Sequence, residues 1–127
     1  MKKIISTTKA PAAIGPYNQG TSFEKLAFLS GQIPLNPETM EIVEGGVKEQ
    51  TKQVMENLKA VLEEANSSYA NVLKTTCYLS DMDNFVAFNE VYVEYFGADD
   101  APARATVAVK TLPKNVLVEV DAIAFKN

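Results

Sequence analysis

Between Val47 and Ala65 the apolar residues Val47, Val54, Leu58, Val61, Leu62 and Ala65 keep helical spacing, while Lys48, Glu49, Lys52, Glu56, Lys59 and Glu63 fill the rest of the turn. A helix with one apolar stripe is stable only when that stripe is buried against another element. The flanking segments read with a period of two, so the expected partner is a sheet. Ile4-Ile5, Gln19 to Phe23 and Leu26 to Ser30 read as strands, the last two as a hairpin turning at Glu24-Lys25. Asn71 to Leu79, Ala103 to Val109 and Val116 to Phe125 are further strands. Phe85, Phe88, Tyr92, Tyr95 and Phe96 mark a second helix that Gly97 can end.

The order β-β-β-α-β-α-β-β predicts an α+β fold, one domain over residues 1–127, with two helices on one face of a mixed sheet. No linker, repeat or low-complexity segment interrupts it. Two helices cover only one side of such a sheet, and the strands are too apolar to leave the other side in water. The expectation is a homo-oligomer.

Composition removes whole chemistries. The chain has no His and one Cys, which excludes Ser-His-Asp and Cys-His catalysis, a disulfide within the chain and a thiolate zinc site. No metal site and no nucleotide loop is expected, since Gly15 to Gly20 lacks the strand-to-helix context of a phosphate cradle. A net charge of -4 has the wrong sign for nucleic acid or an anionic membrane. Polar residues Ser6 to Lys9 follow the charged start, so no signal-peptide core develops and no membrane-spanning run occurs. The predicted location is the cytoplasm.

Alternation separates the faces of the last two strands. Ala103, Ala105, Val107 and Val109 point one way, and Arg104, Thr106, Ala108 and Lys110 the other. Val116, Val118, Val120, Ala122 and Ala124 share a face opposite Leu117, Glu119, Asp121, Ile123 and Phe125. Arg104, the only Arg, is either a bidentate carboxylate clamp or half of an ion pair with Glu119 or Asp121. Glu119 is either that partner or a carboxyl lifted by apolar surroundings until it can move protons near neutral pH. Asn89 shares a helical stripe with Phe85, Tyr92 and Phe96 and needs a hydrogen-bond partner. Tyr17, after Gly15-Pro16, reads first as a core aromatic and second as a ligand-facing phenol. Ser30, before Gly31 at a strand end, reads as a turn cap, and Cys77 as an inert core thiol.

Ala12-Ala13-Ile14-Gly15-Pro16-Tyr17, Ser30-Gly31-Gln32-Ile33-Pro34, Asn89-Glu90-Val91-Tyr92, Pro102-Ala103-Arg104 and Leu112-Pro113-Lys114 through Val118-Glu119-Val120 together resemble the YjgF/RidA family of reactive intermediate deaminases. The match runs in order along nearly the whole chain. The resemblance implies a chorismate-mutase-like fold in a homotrimer, with six-stranded sheets around a central barrel and active sites in the clefts between subunits. It implies hydrolysis of 2-imino acids, or enamines such as 2-aminoacrylate, to 2-oxo acids and ammonia without a cofactor, protecting pyridoxal-phosphate enzymes. By motif, Arg104 would bind the substrate carboxylate and Glu119 would hold or activate water. Tyr17, Ser30, Gly31, Asn89 and Thr106 would line the pocket.

Two segments depart from the family pattern. Arg-Ser-Cys-Val is here Arg104-Ala105-Thr106-Val107, and Ala-Arg-Leu-Pro is Lys110-Thr111-Leu112-Pro113. If position 106 acts through its backbone N–H, the Thr is tolerable, whereas a role for the family's thiol there is lost. The alternatives are a trimer that binds small carboxylates without turnover, as a regulator, and a ribonuclease or translation inhibitor, which the charge disfavours.

Overall fold

The predicted first helix forms over Val47–Glu64 (α1) in the computed structural model, which describes residues 1–127. Its start is set by Glu49, whose Oε1 accepts the Gly46 N–H at 2.7 Å and places an acid in the first turn. The second helix spans Phe85–Phe96 (α2) and ends where Gly97 takes φ 72 and donates to the Val93 carbonyl at 2.8 Å. The strands are Lys3–Ile5 (β1), Gly20–Phe23 (β2), Leu26–Gln32 (β3), Val72–Leu79 (β4), Ala103–Ala108 (β5) and Val118–Phe125 (β6).

All six strands join one sheet in the order β1-β2-β3-β6-β4-β5. Only β4 and β5 pair in parallel, joined through α2. Because β3 and β4 are both antiparallel to β6, they run parallel to each other with α1 as their crossover. Both helices therefore lie on one face. Val54, Leu58, Val61 and Leu62 of α1 are fully buried over a sheet face built from Ala27, Leu29, Cys77, Leu79, Val118, Val120, Ala122 and Ala124. Each such Leu or Val contributes roughly 1.5–3 kcal/mol by burial.

Buried amides fix the loops that the sheet alone would leave free. Gln19 Nε2 donates to the Thr7, Ala10 and Pro11 carbonyls, and its Oε1 accepts the Thr7 N–H. Asn57 Nδ2 donates to the Ile33 and Leu35 carbonyls, and Gln50 Oε1 accepts the Leu117 N–H.

The mixed sheet with two helices on one face is as expected; several boundaries move by a residue or two, and those of the hairpin, β3 and β6 have identifiable local causes. The first strand of the hairpin begins at Gly20, and the turn needs Glu24 at φ 53. β3 runs on to Gln32, so Ser30 lies inside the strand rather than at its end. β6 starts only at Val118, because Pro113–Asn115 form a tight turn with Lys114 and Asn115 both left-handed, at φ 56 and 57.

The other face of the sheet is open. Leu26 pairs with Phe125 and Phe28 with Ile123, and Phe23, Leu26, Phe28 and Phe125 remain 40–52% exposed. β5 leaves one edge of the sheet unpaired. No helix is long and apolar enough to cross a membrane.

Candidate functional site

Between Leu29 and Gln32 the pairing of β3 with β6 shifts by one residue, since three steps along β3 match two along β6. This bulge carries Ser30 and Gly31. Ser30 does not cap a turn: its Oγ donates to the Asn18 carbonyl at 2.5 Å and its N–H to the Gln19 carbonyl at 2.9 Å. It thereby fastens the loop that carries Tyr17. Tyr17 is not a core residue either, because it is 52% exposed. The two prolines and Gly15 at φ 122 turn the chain outward there, and the ring lines a cavity of about 300 Å³ that Gly31, Ile33 and Met40 also bound.

Glu119 lies on the open face, opposite Tyr78 in the ladder, with its carboxyl folded against Gly31. A Cβ at position 31 would stand 2.9 Å from Glu119 Cδ, so the approach requires glycine. Burial, and secondarily the negative charge of Asp121, push the Glu119 carboxyl above the ordinary carboxylate range. Asp121 itself accepts a hydrogen bond from the Tyr78 phenol at 3.2 Å.

The second group of residues lies on the opposite side of the sheet. Arg104 on β5 pairs with Thr75, and Thr106 with Cys77, both of which face the helices. The guanidinium passes under α2, where Nη1 donates to Asn89 Oδ1 at 2.7 Å. Its central carbon lies 4.7 Å from the Tyr92 ring centroid and 5.4 Å from that of Phe85. Arg104 and Asn89 border a cavity of about 350 Å³ with Val93, Ala98 and Pro102. Thr106 Oγ1 is buried without a hydrogen-bond partner. Val109 N–H donates inward to Leu79, so by strand alternation the N–H groups of Arg104, Thr106 and Ala108 point to the free edge. Burial pushes the Cys77 thiol up to about 11, which keeps it protonated.

The charged faces of β5 and β6 thus lie on opposite sides of the sheet, with β4 between the two strands. The expected ion pair of Arg104 with Glu119 or Asp121 does not form; the one ion pair in the chain joins Lys48 and Glu90 at 2.5 Å. Tyr17, Ser30, Gly31 and Glu119 come together as one group and Asn89, Arg104 and Thr106 as another. The sequence did not single out Gln19, Thr75 or Tyr92, although the stripe Phe85, Asn89, Tyr92 already put two rings beside the amide that holds Arg104.

The family model described as endoribonuclease L-PSP matches residues 7–126. A RutC family protein of Pyrococcus abyssi is 54% identical over 125 residues, 98% of each chain. The 2-iminobutanoate/2-iminopropanoate deaminase of Mus musculus is 46% identical over 126 residues, covering 99% of this chain and 93% of that one. The crystal structure of E. coli TdcF with bound serine matches with a TM-score of 0.91 at 42% identity, over 98% of this chain and 99% of the other.

Proposed function

This chain belongs to the YjgF/RidA (endoribonuclease L-PSP) family, and on that premise we propose that it hydrolyses small 2-imino acids to 2-oxo acids and ammonia in a cleft between two copies, in the cytoplasm. The observation that carries the reading is the division of the two charged groups between opposite faces of one sheet. A guanidinium under α2 and a half-buried carboxyl on the open face cannot serve one small substrate within a chain. They can do so where the free edge of β5 in one copy meets the Gly31–Glu119 bulge of another. The exposed Phe23, Leu26, Phe28 and Phe125 supply the apolar surface for such packing, and a closed ring of three copies covers it.

In that cleft Arg104 and the outward Thr106 N–H hold the substrate carboxylate. Water attacks C2 of the iminium, the C=N electrons pass to nitrogen, and the Glu119 carboxylate takes the water proton. Glu119 returns this proton to the amine of the carbinolamine. The C–N bond then breaks with its electrons on nitrogen, the C2 hydroxyl gives its proton to the Glu119 carboxylate as the carbonyl forms, and ammonia takes that proton from Glu119 and leaves as ammonium. An iminium is already electrophilic, so holding the substrate and relaying the two water protons through one carboxyl suffice. A pKa above the ordinary carboxylate range makes Glu119 a better proton acceptor than an exposed carboxylate. Serine in E. coli TdcF is a ligand bearing the same carboxylate next to a nitrogen-bearing carbon.

The test is the rate at which 2-iminobutanoate, generated in situ from threonine by a dehydratase, disappears when the purified chain is added. Acceleration by the wild type and its loss in Arg104→Ala are expected; equal activity of the two proteins overturns the assignment. The serine in TdcF also favours a second reading, a trimer that binds small carboxylates as a regulator. Glu119→Gln separates the two, since a binder keeps its affinity and has no turnover to lose.

A further inference from the structure

Arg104 is held more firmly than one hydrogen bond requires. A guanidinium has five N–H donors, and within the chain only Nη1 has a partner, Asn89. Its cationic carbon instead lies over two rings of α2, Tyr92 at 4.7 Å and Phe85 at 5.4 Å. Tyr92 is itself immobilised from three directions. It packs against Phe88 and Phe96, with centroids 5.5 and 4.7 Å away, and its hydroxyl hydrogen-bonds Thr75 Oγ1 at 2.8 Å. Thr75 is fully buried and is the ladder partner of Arg104. The chain therefore closes a loop: strand β5 carries the guanidinium, strand β4 pins the ring, and the ring lies against the guanidinium.

We propose that Tyr92, pinned through its hydroxyl by Thr75, is a positioning residue that orders the Arg104 guanidinium before the substrate carboxylate arrives. The inference rests on the reading that Arg104 binds that carboxylate. A free Arg side chain populates many rotamers, and ordering it on binding weakens affinity. Here the ordering is completed during folding. The rings beside the guanidinium bring no hydrogen-bond acceptor to it, since the Tyr92 hydroxyl is bonded to Thr75, so its unpartnered N–H groups stay available for a planar two-oxygen ligand. A ring of Phe type would supply the same face without the pin. The hydroxyl at position 92 and its buried partner at 75 are then explained by placement rather than by packing.

Since the substrate carboxylate does not change during hydrolysis, loosening its anchor weakens ground state and transition state alike. KM then rises while kcat holds. The experiment measures KM and kcat for 2-iminobutanoate and, by calorimetry, the affinity for the product 2-oxobutanoate. The proteins are the wild type, Tyr92→Phe, Thr75→Val, the double variant and Arg104→Ala. Tyr92→Phe and Thr75→Val are each expected to raise KM and weaken 2-oxobutanoate binding roughly threefold to tenfold, with kcat within about twofold. The double variant should be no weaker than Thr75→Val, because both single variants break the Tyr92–Thr75 bond and Thr75→Val additionally removes only the weak Cys77 thiol contact at 3.9 Å. Loss of binding in Arg104→Ala together with wild-type constants in the other three overturns the role of Tyr92 and leaves the carboxylate site standing. A parallel fall in kcat, or additive losses, assigns Tyr92 to general structure and likewise overturns the inference. Wild-type binding in Arg104→Ala removes the carboxylate site itself and this inference with it. Both single variants are near-isosteric, and Tyr92→Phe keeps the ring packing that folding needs.

Discussion

Replacing Gly31 by Ala tests the reading of Glu119 by adding one carbon. The backbone at Gly31 is outside the left-handed region, so an L residue can occupy it without strain. The new Cβ would stand 2.9 Å from Glu119 Cδ and 3.1 Å from its Cγ, with the Oε2 oxygen closer still. Carbon atoms at rest are about 3.5–4.0 Å apart, so the carboxyl must retreat by about 1 Å. The strand gains roughly 0.4–1 kcal/mol from a less flexible unfolded chain, and what gives way is the end of a flexible side chain. Stability should therefore stay within about 1 kcal/mol of the wild type. A 1 Å misplacement of a proton-transferring group costs about 10²-fold in rate. Moving the carboxyl outward also returns its pKa toward the ordinary range, so the acid limb of the pH–rate profile should shift to lower pH. The assay is 2-iminobutanoate hydrolysis against pH, with a thermal melt as control. A Gly31→Ala protein that melts like the wild type and keeps its kcat would falsify the placement of Glu119 at the reacting centre.

Glu119→Gln should lower kcat by about 10²–10⁴-fold and should also stabilise the fold in a pH-dependent way. Because the folded-state pKa is raised, the carboxyl imposes no penalty below the ordinary carboxylate range, and stability is lost as pH rises through the raised value. The variant should melt with the wild type near the bottom of that range and above it at pH 8; a constant difference across the range rules out this cause. Thr106→Val removes a buried hydroxyl that has no partner and keeps the shape, so it should stabilise by about 1 kcal/mol, or roughly 3 °C in Tm. A destabilised variant would mean that the hydroxyl has an acceptor in the assembled protein. If three copies pack as proposed, Phe28→Glu, which places a charge on the open apolar face where Phe28 pairs with Ile123, should reduce a wild-type trimer to a 13.9 kDa monomer by sedimentation, and a wild type that already sediments as a monomer refutes the proposed assembly. An unchanged sedimentation profile would locate the interface elsewhere.

Both helices were legible in the sequence because their periodicity is long and their ends carry local signals, Gly45-Gly46 with Glu49 and then Gly97. The strands were legible as segments, yet their ends were not. The bulge at Ser30-Gly31 depends on how β3 pairs with a strand about ninety residues later. The left-handed turn at Lys114-Asn115 carries no glycine to announce it. Tyr17 was misread as core because an aromatic in a rigid loop looks the same whether the loop folds inward or outward.

The sequence by itself determined the kinds of chemistry open to this protein. One Arg, no His and one Cys remove histidine, disulfide and thiolate-metal chemistry and leave Asp, Glu, Tyr and Lys for any proton transfer, and strand alternation already separated Arg104 from its aliphatic neighbours. What it could not decide was which side of the sheet each alternating face would occupy. Alternation fixes faces only relative to a strand's own axis, and a strand is turned over by whatever lies beside it. The register of β5, which sets Arg104 beside buried Thr75, turned Arg104 under α2, whereas the register of β6, which sets Glu119 beside Tyr78, turned Glu119 to the open side. Two groups that seemed equally free to meet within one chain were thereby placed on opposite faces of its sheet.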